Sequence, residues 1–228
     1  MELEVCLIAV ALAMSLWLRP WRMLSRQALE KDGPSEPSPL VTPLLATLVV
    51  LPWLWALPTL HRMPLQLQWS GACLVVLMLG WPLAIPALVA VGGIAAVLSP
   101  SLDWADAVGT IAWQGVVPAT LALALGAVIR RLIGTQPFVY VLGRAFLGTA
   151  VCLFLANVLG QWSGHSLPGV EGDLSLVARW LMAWGDAFVT GMLTAIFVAF
   201  KPEWLATWSD RLYLRKRDCS RPPWLVDA

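Results

Sequence analysis

The chain is short of charge. Lysine, arginine, aspartate and glutamate together make up 13% of its 228 residues, where a soluble domain carries about 25%. Histidine and tyrosine occur twice each and cysteine four times. Each shortage excludes something. With 59% hydrophobic residues and so few charges, no water-soluble surface can be covered. The cysteines (Cys6, Cys73, Cys152 and Cys219) are scattered without a CxxC pair, so they form neither a disulfide framework nor a zinc-finger spacing. No Walker A sequence is present, and the chain is therefore not expected to hydrolyse ATP itself. Without GxSxG or HExxH there is no visible nucleophile or zinc dyad for a membrane hydrolase, and we expect no enzyme. No histidine pair sits at matching depth in the apolar runs, which argues against an intramembrane haem and any other intrinsic cofactor. A net charge of +1 gives no reason to expect nucleic acid.

Apolar runs and tryptophan are abundant. Seven apolar segments can be read, at 2–18, 40–58, 67–80, 82–99, 104–129, 137–160 and 174–200. A bilayer core of about 30 Å takes about 20 helical residues to cross, so 67–80 is too short to cross unaided. Either it folds as a hairpin with 82–99 after Gly80-Trp81-Pro82, or 71–98 is one long kinked helix. Charge sorts between these readings. Twelve of the fifteen basic residues lie in three stretches: Arg19, Arg22, Arg26 and Lys31; Arg130 and Arg131; and Lys201, Arg211, Arg215, Lys216, Arg217 and Arg221. The other connections carry Glu2 and Glu4, His61 and Arg62, Asp103 and Asp106, and Glu171 and Asp173. The positive-inside bias places the basic stretches in the cytoplasm, which needs an odd number of crossings.

The expected fold is an all-α polytopic membrane protein. It is a compact bundle of about seven transmembrane helices, with six as the alternative, and has its N-terminus outside and its C-terminus in the cytoplasm. Residues 1–200 form one membrane domain with a cytoplasmic linker at about 19–39. The first apolar run lacks a basic n-region and is expected to stay in the mature protein. Trp53, Trp55, Trp69, Trp81, Trp104, Trp162 and Trp204 lie near segment ends, where the ring suits the interface. The basic tail 201–228 is expected to lie on the anionic inner leaflet, or to serve as a docking surface for a cytoplasmic partner.

Charges inside spans are costly, and are usually paired or functional. Asp186 lies about 18 Å from the outer end of its segment and Arg144 about 10 Å from the inner end of its own, at 1.5 Å per residue. Those depths nearly coincide in a core of about 30 Å, so an Arg144–Asp186 pair is expected. Gly143, Gly148, Ala183, Ala187 and Gly191 would let their two helices approach closely. Gln68, Gln114 and Asn157 are candidates for a polar pathway. On the outer side, Glu2, Glu4, Cys6, Cys73, His61 and His165 form a scattered candidate set for a metal ion, with Cys6 and Cys73 at similar depth.

Three stretches carry a family resemblance over residues 40–214. They are Ser70-Gly71-Ala72-Cys73-Leu74 with Leu77-Met78-Leu79-Gly80-Trp81-Pro82-Leu83, then Gln114-Gly115-Val116-Val117-Pro118, and Trp184-Gly185-Asp186-Ala187-Phe188-Val189-Thr190-Gly191 running to Lys201-Pro202-Glu203-Trp204-Leu205. The chain resembles the CbiM-like family, the cobalt/nickel-type substrate-binding membrane subunits of energy-coupling-factor importers. The resemblance implies a multi-pass protein of a bacterial inner membrane, partnered by an ABC ATPase and a coupling transmembrane subunit, with a transition-metal ion as substrate. Asp186 falls on the family's intramembrane glutamate. Position 2, a histidine ligand in the family, is Glu2 here, and a further family histidine falls on or next to Gln68. The family's imidazole site is therefore missing. Either a different metal is bound through the outer-face set, or the substrate is no metal. The alternative function is a non-transporting scaffold or accessory subunit of a larger membrane complex.

Overall fold

In a computed structural model, residues 1–21, 23, 38–60, 69–99, 103–134, 136–164 and 172–209 are described. Among them every regular element is helical. We label the principal helices α1 (Glu2–Trp17), α2 (Val41–Leu60), α3 (Ala72–Leu79), α4 (Trp81–Leu98), α5 (Trp104–Leu132), α6 (Val139–Trp162) and α7 (Gly172–Phe200), the last followed by a 3₁₀ turn at Pro202–Trp204. By length and composition, α4, α5, α6 and the Ser175–Phe200 part of α7 are each able to cross a membrane. Leu132, Leu181, Phe188 and Phe200 point outward with nothing to cover them, as lipid-facing side chains do. The protein is a helical membrane protein.

The single kinked helix over 71–98 does not form. Gly80, at φ 74° and ψ 155°, ends α3 and begins α4. Only glycine adopts such an angle without strain. At eight residues, α3 is about 12 Å long and does not cross the core by itself. It is nonetheless the centre of the bundle. All eight of its residues are buried, and it packs against α2, α4, α5, α6 and α7.

Proline sets several local details. A proline within a helix has no N–H to give the carbonyl four residues earlier, and in a membrane a serine hydroxyl often takes that place. Pro86 inside α4 leaves the carbonyl of Pro82, and Ser15 of α1 donates to it at 2.5 Å. Pro118 in α5 leaves that of Gln114, and Ser70 donates to it at 2.5 Å. Just before Pro118 the chain winds as a π-helix over Ile111–Val116, a geometry frequent at functional sites. A second π stretch opens α6 at Val139–Leu147.

The bonds between helix ends give the bundle a direction. The C-terminal ends of α1, α3 and α7 meet the N-terminal ends of α4 and α6 on one face, through Ser15–Pro82, Thr207–Leu77 and Tyr140–Thr207. Helices α6 and α7 approach closely where small residues were expected: a β-carbon on Gly191 would stand 3.1 Å from Phe146, and Ala183 and Ala187 are buried. The tryptophans divide. Trp53, Trp104 and Trp162 are exposed, but Trp55 and Trp81 are buried core residues instead of interface anchors. Trp55 turns inward because its indole N–H donates to the carbonyl of Ser70 at 3.1 Å. Most of the basic linker (22 and 24–37) and the tail beyond 209 lie outside the described residues.

Candidate functional site

The site is built where α3 begins. The first N–H groups of a helix have no partner within it and need one from elsewhere. Here the partner is a carboxylate from a distant helix. Asp186 of α7, 4% exposed, accepts from the backbone N–H of Ser70 at 2.8 Å and of Gly71 at 3.2 Å through one oxygen. Through the other it accepts from the hydroxyl of Thr190 at 3.3 Å. The positive end of a helix dipole is a favourable place for a negative charge. Gly71 holds φ at +62°, which turns its N–H toward the carboxylate.

Ser70 is the hub. Its N–H goes to Asp186, its hydroxyl donates to Gln114 O and accepts from Ala72 N at 3.2 Å, and its carbonyl accepts from Trp55. One residue thus ties α2, α3, α5 and α7 together. Beside it lies a small polar cavity of about 20 Å³, lined by Ser70, Trp113, Gln114, Asn157, Met182 and Asp186 among others. That is room for about one water molecule. Above it, Arg179 of α7 donates to Asn157 of α6 at 3.3 Å, and Ser175 donates to Gln161 at 3.2 Å. Polar side chains therefore line a track from the start of the α7 span down to Asp186.

Of the pathway candidates, Gln114 and Asn157 meet at this cavity, and Gln68 lies outside the described residues. The expected Arg144–Asp186 pair is not made. Asp186 is occupied by backbone N–H groups and Thr190. The Arg144 guanidinium lies over Gly126 of α5, with its Cζ 5.7 Å from the Tyr140 ring centroid. Equal depth does not mean equal direction around a helix, and Arg144 sits in a π-helical stretch whose winding differs from the α-helix assumed in counting depth.

The described members of the outer-face metal set, Glu2, Glu4, Cys6 and Cys73, do not come together. Among the described residues, no three histidine, cysteine, aspartate or glutamate side chains gather as a metal site. Glu2 and Cys6 face outward on α1. Glu4 is buried, bound by the Met1 amino group at 3.2 Å and by the Trp113 indole N–H at 3.3 Å. Cys73 lies in the core with Cys152, Leu153 and Ala183. Its Cβ follows the buried face of α3, whereas Cys6 is on the outside of α1, so similar depth does not bring them together. His61 and His165 lie outside the described residues.

Two site residues escape the reading of apolar segments: Ser70 and Arg179. Ser-Gly immediately before an apolar run is a helix-start signal and would have flagged Ser70. Arg179 stands five residues inside the last apolar segment, and the rule that applied to Arg144 and Asp186 applies equally to it. No family profile, curated protein or solved structure matches the chain.

Proposed function

We propose that the protein is a membrane-embedded substrate-binding or permease subunit of an energy-coupling-factor-type importer in a bacterial inner membrane. A separate ABC ATPase and a coupling transmembrane subunit power it. The observation that carries the reading is the Asp186 cavity, a carboxylate at the end of a broken helix in the middle of a membrane bundle. Discontinuous helices that end beside a polar cavity are how many transporters bind solutes inside the bilayer. The resemblance of the three motifs to the CbiM-like family points the same way, and all three contribute to this site through Ser70, Gln114 and Asp186.

The substrate in this reading is a transition-metal ion held at the cavity. The space of about 20 Å³ beside Asp186 admits a dehydrated ion. The lining offers oxygen donors from Ser70, Gln114, Asn157 and Asp186, a set that suits a harder ion such as Mn²⁺ over thiolate-seeking Cu(I). We assign seven crossings, with the N-terminus outside and the shared helix-end face in the cytoplasm. The described members of the three basic stretches, Arg19, Arg130 and Arg131, and Lys201, lie at the C-terminal ends of α1, α5 and α7, which supports this orientation under the positive-inside rule.

One observation favours the scaffold alternative: a cavity of about 20 Å³ lined by a single carboxylate is also what a buried structural water needs. Elemental analysis of the full chain, purified without added metal, separates the two. Importer function predicts a first-row metal near one equivalent in wild type and its loss in Asp186→Asn. Metal-free wild-type protein that also takes up none of Mn²⁺, Co²⁺ or Ni²⁺ would favour the scaffold.

A further inference from the structure

The last turn of a helix leaves carbonyls without partners. At the end of α3, Gly80 breaks the helix one residue after Leu79, so the carbonyls of Leu77 and Met78 have no helical N–H to accept from. The segment that follows α7 supplies them. The Ala206 N–H donates to Met78 O at 2.9 Å, the Thr207 N–H to Leu77 O at 3.3 Å, and the Thr207 hydroxyl also to Leu77 O at 2.9 Å. That segment is itself seated firmly. Leu205 and Trp208 are buried, Trp208 stacks edge-on against Tyr140 with centroids 4.9 Å apart, and the Tyr140 and Thr207 hydroxyls are 2.7 Å apart. Helix α3 is therefore held at both ends by one continuous stretch of chain. Asp186 holds its N-terminal end, and Ala206 and Thr207, twenty residues later, hold its C-terminal end.

What lies between these holds is stiff in length and loose at its joints. Eight residues of unbroken helix keep the two ends about 12 Å apart. At each junction stands a glycine with positive φ, Gly71 at 62° and Gly80 at 74°, where the backbone turns freely. Gly80 adjoins the strap: a β-carbon there would lie 3.8 Å from Ala206 and 3.4 Å from Met23. The backbone bonds at the head of α3 go to Asp186 beside the cavity, and those at its foot go to the segment after α7, on the face where the ends of α1 and α7 meet the starts of α4 and α6.

We propose that α3 is a transmission rod: the strap Lys201–Trp208, on the face where the ends of α1, α3 and α7 meet the starts of α4 and α6, and the Asp186 cradle are coupled through it, so that releasing either end releases the other. A partner that lifts the strap would thereby open the polar cavity at Asp186, and an event at Asp186 would loosen the strap. The inference does not depend on what the cavity binds, and its test reads no transport and no ligand.

Hydrogen exchange reads the two ends separately, because the amides concerned are held by tertiary partners and not by the helix. In the full chain in lipid nanodiscs, Ala206→Pro combined with Thr207→Val removes two of the three foot bonds, leaving the 3.3 Å bond from the residue 207 N–H to Leu77 O. Amide exchange over Ser70–Ala72 is then expected to rise at least tenfold. In the reverse direction, Asp186→Leu removes the acceptor of the Ser70 and Gly71 N–H groups and is expected to raise exchange at Ala206 and Thr207 at least threefold, since coupling between two sites is reciprocal. Ser15→Ala removes the α1–α4 bond on the same face and is expected to change neither. Should the proline variant fail to fold, Thr207→Val with Tyr140→Phe keeps the backbone bonds, and at least a threefold rise at Ser70–Ala72 is expected. Opening confined to the mutated end, in either direction, overturns the proposal. So does an equal rise in the Ser15→Ala control, which would show general loosening and no rod.

Discussion

Two charges within the spans of this protein solve the same problem in opposite ways. Asp186 is 4% exposed and is enclosed by donors that the fold had to provide anyway, the orphaned N–H groups at the head of α3. Arg144 is half-buried near the start of α6 and lies against a glycine and a ring face. Its Nε is enclosed without a hydrogen-bond partner among the described residues. The carboxylate depends on a specific backbone geometry, and the guanidinium depends on little more than space. Polar satisfaction in this bundle therefore comes from breaks in helices: the gap before α3, and the carbonyls left open by Pro86 and Pro118. Among the described residues neither charge has an ion-pair partner.

The sharpest way to break the contrast is to remove one charge at a time. Asp186→Leu leaves two buried N–H groups without acceptors, and we expect a loss of about 3–5 kcal/mol, read as a lower unfolding midpoint in mild detergent. Gly71→Ala comes next. It puts a side chain at φ +62° and a β-carbon 2.9 Å from Leu51 Cδ1, and the strain and crowding together should cost about 2 kcal/mol by the same assay. Smallest is Arg144→Gln, for which the loss of a partly exposed ring contact should stay under about 1 kcal/mol. Because the two charges do not touch, Asp186→Leu with Arg144→Gln should equal the sum of the single effects to within about 0.5 kcal/mol. A double variant clearly more stable than Asp186→Leu alone would restore the ion pair that depth arithmetic suggests.

That arithmetic shows where reading the sequence stops. The apolar runs lie within a few residues of the helices over most of the chain, because helix length in a membrane follows hydropathy directly. The break at Gly80-Trp81-Pro82 was legible for the same local reason. Asp186 also stood out, since a carboxylate in an apolar run is rarely idle. Its partner was not legible. Nothing in the spacing of residues reveals that α7 turns Asp186 toward the amides of Ser70 and Gly71, more than a hundred positions earlier. Cys6 and Cys73 failed likewise, since depth along a helix says nothing about direction around it. The proline-freed carbonyls were within reach of a more patient reading: the residue four before each proline is fixed by the chain, and only the identity of the hydroxyl that fills the place needs the fold.

We propose that this protein holds its ion at the Asp186 cradle, and not at Arg144 or on the outer face of α1. Titrating Mn²⁺, Co²⁺ and Ni²⁺ into the full chain in nanodiscs tests this directly, with Asp186→Asn, Arg144→Gln and the combined Glu2→Gln, Cys6→Ser variant alongside the wild type. Saturable binding is expected, weakened at least tenfold in Asp186→Asn and within twofold of wild type in the other two. Binding that survives Asp186→Asn but is lost with Glu2 and Cys6 would contradict it and return the site to the outer face.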